Sequence, residues 1–133
     1  MQLHIIPGDE LPIYRQIMRQ ITDAVAGGRL RLDDKLPSQR ELAEQLVVSP
    51  LTVKKAYDEL EREGLIRTQR GRGTFVSAGM ESVDVEAQRE KLRGGARRLL
   101  SSAYLAGLSV DDVLEIVRSA AAELDEERSR RAG

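Results

Sequence analysis

The chain contains no cysteine and a single histidine, His4. Disulfides, thiolate zinc sites and an all-histidine metal site are thereby excluded, and neither a metal nor a cofactor is expected. No apolar run approaches the roughly 20 residues that a membrane-spanning helix needs. The opening MQLHIIPGDE lacks the basic-then-apolar order of a signal peptide, so a cytoplasmic protein without membrane partners is expected. There is no glycine-rich phosphate loop on a strand-to-helix turn, no nucleophile elbow and no histidine beyond His4 for a triad. Paired acids sit on helix surfaces, and catalysis is not expected.

An excess of positive charge is also missing. With 21 basic and 22 acidic residues the formal net charge is -1, which on its own argues against a nucleic-acid binder, because phosphate binding needs local positive potential. The distribution points the other way. Residues 65 to 79 hold Arg67, Arg70 and Arg72 and no acid, whereas Asp58, Glu59, Glu61 and Glu63 crowd the segment before them.

At 133 residues the chain fits one typical domain or two very small ones. A domain of roughly 50 to 80 residues buries a core only marginally, so a partner is expected to supply part of the stability. Hydrophobic residues at 41% and charged residues at 32% describe a soluble helical protein and not a disordered tail.

Residues 2 to 6 suit a short extended arm, which Pro7, Gly8 and Asp9 end in a turn. From Pro12 to Ala26, Ile13, Ile17, Ile21 and Val25 recur every four residues as one face of an amphipathic helix that Gly27 and Gly28 stop. Ser38 with Glu41 three residues on forms a capping box, starting a second helix that runs to about Val47. Ser49 before Pro50 starts a third, because serine suits the N-cap and proline at the first helical position gives up an amide proton that had no partner. Its inward face is Val53, Ala56, Tyr57 and Leu60, and Gly64 is placed as the left-handed residue beyond its end.

After Gly64, LIRTQ and TFVS flank Arg70, Gly71, Arg72 and Gly73, the pattern of a β-hairpin with a glycine-rich tip. A boundary is expected near residue 80. Beyond it, helical patterns carrying Leu92, Leu99 and Leu100, then Val113, Leu114, Val117, Ala121 and Leu124, are interrupted at Gly107 and Leu108, with Ser109 and Asp112 as a weaker capping box. Two such helices cannot surround a core alone. The fold expected is mainly α with a small β wing: a winged helix-turn-helix over residues 1–79, then a short helical hairpin dimerisation region over 80–133.

Three helices and a wing can place the third helix in a major groove about 12 Å wide. The same architecture also serves protein-interaction modules, so a partner-docking winged helix with incidental DNA affinity stays open as the alternative. Structured RNA is disfavoured, because the A-form major groove is too narrow for the third helix.

The stretch PSQRELAEQLVVSPLTVKKAYDELEREGLIRTQRGRGTFVS, residues 37 to 77, closely resembles the DNA-binding domain of GntR-family regulators. LPIYRQIMRQI, the phrase SPLTVKKAY and the short C-terminal part look most like the YtrA-type subfamily, whose C-terminal region is a small helical dimerisation unit. The resemblance implies double-stranded operator DNA as partner, a homodimer and repression. It places Arg40 on the DNA backbone or a base edge, with Ser38 nearby. The structural alternatives are a cap role alone for Ser38 and a pairing of Arg40 with Glu44 four residues on.

On the third helix the resemblance points to Ser49, Pro50, Leu51, Thr52, Lys54 and Lys55, where the dipole and free amides also favour phosphate. Many relatives carry arginine where this chain has Pro50, and YtrA-type members commonly have asparagine where it has Leu51. Operator sequence therefore does not transfer. At the wing it points to Arg70, Gly71 and Arg72, with Thr74 as a lesser phosphate contact. Tyr57 and Phe75 are assigned to the core and His4 to no functional role. Leu92, Leu99, Val113, Val117 and Leu124 are the candidate dimer-interface or core residues. A small-molecule effector, unidentified, would sit at a dimer or interdomain cleft, near Tyr104 or Arg97 and Arg98, because about 50 residues leave little room for a pocket within one chain.

Overall fold

The computed structural model describes residues 1–77 and 85–132. The chain divides into two units, Met1–Glu81 and Ser82–Gly133. The boundary expected between residues 79 and 80 lies outside the described residues.

In the first unit, helix α1 spans Ile13–Ala26, α2 Gln39–Leu46 and α3 Pro50–Arg62. Ile17 and Ile21 of α1, Leu42 and Ala43 of α2, and Val53, Ala56, Tyr57 and Leu60 of α3 form one buried cluster. The four-residue spacing in α1 thus delivers an apolar stripe onto α3, as helical periodicity requires.

The helix starts are fixed by the expected caps. The Glu41 amide donates to Ser38 Oγ at 3.0 Å and the Ser38 amide donates back to Glu41 Oε1 at 3.3 Å. At α3 the Leu51 amide donates to Ser49 Oγ at 3.2 Å, with Pro50 opening the helix. Between α2 and α3 the chain reverses at Val47, which takes left-handed angles (φ 54°) and is 89% exposed. A β-branched residue is strained there, and nothing in the sequence marks the position.

Tyr57 is buried, and its hydroxyl donates to the Pro37 carbonyl at 2.7 Å. That bond satisfies the phenol and ties α3 to the segment entering α2. Burial, with the Glu41 charge as a second cause, pushes the phenol well above the ordinary tyrosine value.

The sheet has three strands, β1 (Lys35–Leu36), β2 (Ile66–Gln69) and β3 (Gly73–Val76), in the antiparallel order β1-β3-β2. The β2–β3 hairpin is the expected wing. β1 was not expected, since two residues are too few to show a period of two. Its pairing sets Leu36 opposite Thr74 and Lys35 opposite Phe75. Leu36, Ile66, Thr74 and Val76 are buried.

Side chains alternate along a strand, so this parity corrects two expectations. Thr74 points inward and is 6% exposed, which removes it from the DNA-facing set. Phe75 points to the outer face, half-buried beneath the Arg67 guanidinium at 5.4 Å, and is not part of the core cluster.

The arm before α1 is held by two glutamines one helical turn apart. Gln16 Oε1 accepts from the Ile6 amide at 2.8 Å, and Gln16 Nε2 donates to the Ile6 carbonyl at 3.0 Å. Gln20 makes the same two bonds to His4, at 2.9 and 2.7 Å. Leu3 and Ile5 pack against the core.

The second unit consists of α4 (Val85–Leu105) and α5 (Val110–Ala132). Gly107, at φ 82°, makes the turn between them. The expected box starts α5: the Asp112 amide donates to Ser109 Oγ at 3.2 Å, while the Ser109 amide and hydroxyl donate to Asp112 Oδ2 at 2.8 and 2.9 Å and hold the Asp112 carboxyl below its ordinary pKa. Ala103 and Val113 are the buried hydrophobic residues of this unit among those described. Leu92, Leu99, Leu114, Ile116 and Val117 are exposed.

Candidate nucleic-acid interface

Three segments of the first unit carry the candidate contacts, and the local chemistry of each explains its exposure. The first is the start of α3. Ser49, Pro50, Leu51, Lys54 and Lys55 are exposed and Thr52 is half-buried, because the apolar positions of α3 lie on the opposite face. The amides expected to be free for a phosphate are already engaged. Leu51 donates to Ser49 Oγ, and Thr52 and Val53 donate to the Ser49 carbonyl at 3.0 and 3.4 Å. What α3 offers an anion at this end is therefore its dipole and its side chains.

Both lysines have intramolecular partners. Lys54 Nζ pairs with Asp58 Oδ2 at 2.7 Å, one turn on. Lys55 Nζ sits 4.2 Å from the centre of the Tyr14 ring on α1. Neither contact is strong enough to withhold the charge, since exposed helical ion pairs and exposed cation–π contacts are each worth about 1 kcal/mol or less. They hold two ammonium groups along the exposed flank of α3.

The second segment is the start of α2. Arg40 is exposed, and among the described residues no ion pair joins it to Glu44. Ser38 caps the helix, as above, and is exposed as well.

The third segment is the wing tip. Arg70, Gly71 and Arg72 are exposed, and among the described residues no carboxylate pairs with either arginine. The Arg72 amide donates to the Gln69 carbonyl at 2.9 Å, closing the turn. Gly71 has φ 79°, with open space where a side chain would stand. Its lack of a Cβ is needed for the backbone angle and not for internal packing.

Three of the four acids that crowd the end of α3 have partners. Asp58 pairs with Lys54, Glu59 with Arg62 at 3.0 Å, and Glu61 Oε1 accepts the Thr68 amide at 3.2 Å. Lys35, on the outer face of the sheet with Arg67, is the cation that carried no signal in the sequence. It owes its placement to the β1–β3 pairing, which left no pattern to read.

In the second unit a groove of about 550 Å³ runs along α5, lined by Leu108, Asp112, Glu115, Ile116, Ser119, Ala120 and Glu123. Tyr104, Arg97 and Arg98 do not line it.

A three-helix core with a paired wing, a helix presenting its first turns to solvent and tip arginines without an ion pair among the described residues define a winged helix-turn-helix domain with a cationic face. Comparison with known proteins narrows the class. Residues 13–76 match the family model for bacterial regulatory proteins of the gntR family. Over 122 residues the chain is 38% identical to the HTH-type transcriptional repressor YtrA of Bacillus subtilis (strain 168), covering 92% of this chain and 94% of that protein. The chain belongs to the GntR family, and its similarity runs the length of a YtrA-type regulator.

Among solved structures, the transcriptional antiterminator from Listeria monocytogenes EGD-e superposes with a TM-score of 0.84 at 28% identity, over 93% of this chain and 92% of that one. The DNA-binding domain of AraR, solved in complex with operator ORX1, superposes with a TM-score of 0.50 at 36% identity, over 56% of this chain and 93% of that one.

Proposed function

We propose that this regulator is a cytoplasmic, non-catalytic repressor that binds a two-fold-related operator as a homodimer. The single observation that carries the DNA half is the pair of exposed arginines at the wing tip, Arg70 and Arg72, which have no carboxylate partner among the described residues. An otherwise balanced protein that leaves such charge unpaired on a hairpin suits an anionic polymer. In this account the first turns of α3, with Ser49, Pro50, Leu51, Thr52, Lys54 and Lys55, enter the major groove. Ser38 and Arg40 flank it, and Arg70, Gly71 and Arg72 border the minor groove. The operator-bound AraR domain and the repressor YtrA support the choice of duplex operator DNA and of repression.

The homodimer rests on the second unit. Two helices of 21 and 23 residues that bury little beyond Ala103 and Val113 leave Leu92, Leu99 and Val117 in water, with Leu124 half-covered. A second copy would cover these faces, in keeping with the two-fold symmetry usual for homo-oligomers. The α5 groove has the volume of a small-ligand site but no enclosing wall within its own helix, so a modulating small molecule would bind there once a partner closes it. Fluorescence anisotropy with a duplex from the regulator's own upstream region, against a scrambled duplex, tests the proposal. Preferential binding of two chains per duplex is the expected result. Equal binding to both duplexes by a monomer overturns it.

A further inference from the structure

The outer face of the sheet carries a cation that the wing tip alone does not account for. Lys35 on β1 lies opposite Phe75 on β3. Its side chain runs along β3 toward the hairpin tip and lies across Gly73. The Lys35 Cε is 2.8 Å, and its Nζ 3.6 Å, from the position a Cβ on Gly73 would take. The lysine can lie there because Gly73 has no side chain.

The neighbouring acids are engaged elsewhere. Asp33 Oδ1 accepts from Arg67 Nη2 at 2.7 Å, and Asp34 Oδ2 accepts the Arg31 amide at 2.8 Å. The Phe75 ring, the aromatic surface opposite Lys35, is covered by the Arg67 guanidinium. Lys35 is exposed, and among the described residues it has no ion pair. The ammonium is thus directed toward the strand end that carries Arg70 and Arg72, and the adjacent Asp33 and Asp34 carboxylates are already bonded.

We propose that Lys35 is a third cation of the wing, neutralising a phosphate of the duplex beside those met by the tip arginines. It rests on the DNA reading above and adds a contact from β1, outside the hairpin itself. A lysine placed this way meets a phosphate as a point charge and reads no base. Its loss weakens binding to every sequence alike.

The test compares wild type, Lys35→Ala and Lys35→Arg on the upstream and scrambled duplexes across salt. Each phosphate contact contributes about 0.9 to the slope of log affinity against log salt. Lys35→Ala is expected to lower the slope by about that amount, so that the affinity lost between about 50 and 200 mM salt shrinks roughly 3.5-fold. Lys35→Arg is expected to keep the slope. Because Lys35 is exposed, both variants should melt with wild type. A Lys35→Ala line parallel to that of a salt-sensitive wild type overturns the proposal alone. A wild type with no salt-dependent binding overturns the DNA reading and the proposal with it.

Discussion

Arg67 and Asp33, 34 residues apart, form a 2.7 Å ion pair, and the same guanidinium donates through Nη1 to the Val76 carbonyl at 2.9 Å. One side chain thereby joins β2, the end of β3 and the loop before β1. Asp33 itself holds left-handed angles at φ 71°, so the pair restrains a backbone conformation that a non-glycine residue seldom takes.

This latch positions the wing and is distinct from the cations argued to meet phosphate. Both partners are partly in solvent, so the ion pair contributes at most about 1 kcal/mol. Arg67→Ala is expected to lower stability by about 1 kcal/mol in urea denaturation. It should also reduce DNA affinity while leaving the salt slope unchanged. A slope that falls as it does for Lys35→Ala would assign Arg67 to the DNA contact instead.

Tyr57→Phe removes the bond to the Pro37 carbonyl from a buried site, at a cost of about 1 to 3 kcal/mol. The phenol also makes an alkaline prediction. Its folded pKa is raised, so the stability it confers is complete below the unfolded value of about 10 and is lost as pH rises beyond it. Wild-type stability should fall more steeply above about pH 10 than that of Tyr57→Phe. Parallel curves for the two proteins would show that Tyr57 stays accessible to hydroxide.

Val47→Gly should stabilise the protein. The side chain is almost wholly exposed, so little packing is lost, while a left-handed L-residue is strained by roughly 1 to 2 kcal/mol. Glycine's greater freedom in the unfolded chain offsets part of that gain, leaving an expected rise of about 0.5 to 1 kcal/mol in thermal or urea melts. A loss of stability would mean that Val47 packs against something when the protein is folded in solution.

Leu99→Glu together with Val117→Glu should convert the protein to a monomer in sedimentation analysis. Both residues are partly exposed in the single chain, at 42% and 46%, so the change costs little within one copy and places charge in the proposed interface between two. An unaltered dimer would move the interface elsewhere.

Much of this was legible in the sequence, because the strongest signals are local. Ser38 with Glu41, Ser49 with Pro50, and Ser109 with Asp112 each fixed a helix start through bonds spanning at most three residues. The isoleucine spacing of α1 and the arginines around Gly71 were equally readable. The misreadings in the sheet share one cause: they depend on pairing between distant segments. Lys35 and Leu36 have no strand pattern of their own and become β1 only against β3. That pairing decides that Thr74 faces in and Phe75 out, and it carries Lys35 across Gly73. The engaged amides at the start of α3 are a subtler case, since Ser49 supplies both its hydroxyl and its carbonyl to the first turn.

The most direct test of the central claim is the salt dependence of DNA affinity for Arg70→Ala/Arg72→Ala beside wild type. Two phosphate-neutralising arginines predict a slope lower by about 1.8, with the fold intact by thermal melting. An unchanged slope in a folded variant would contradict the account and make the wing a protein-docking surface.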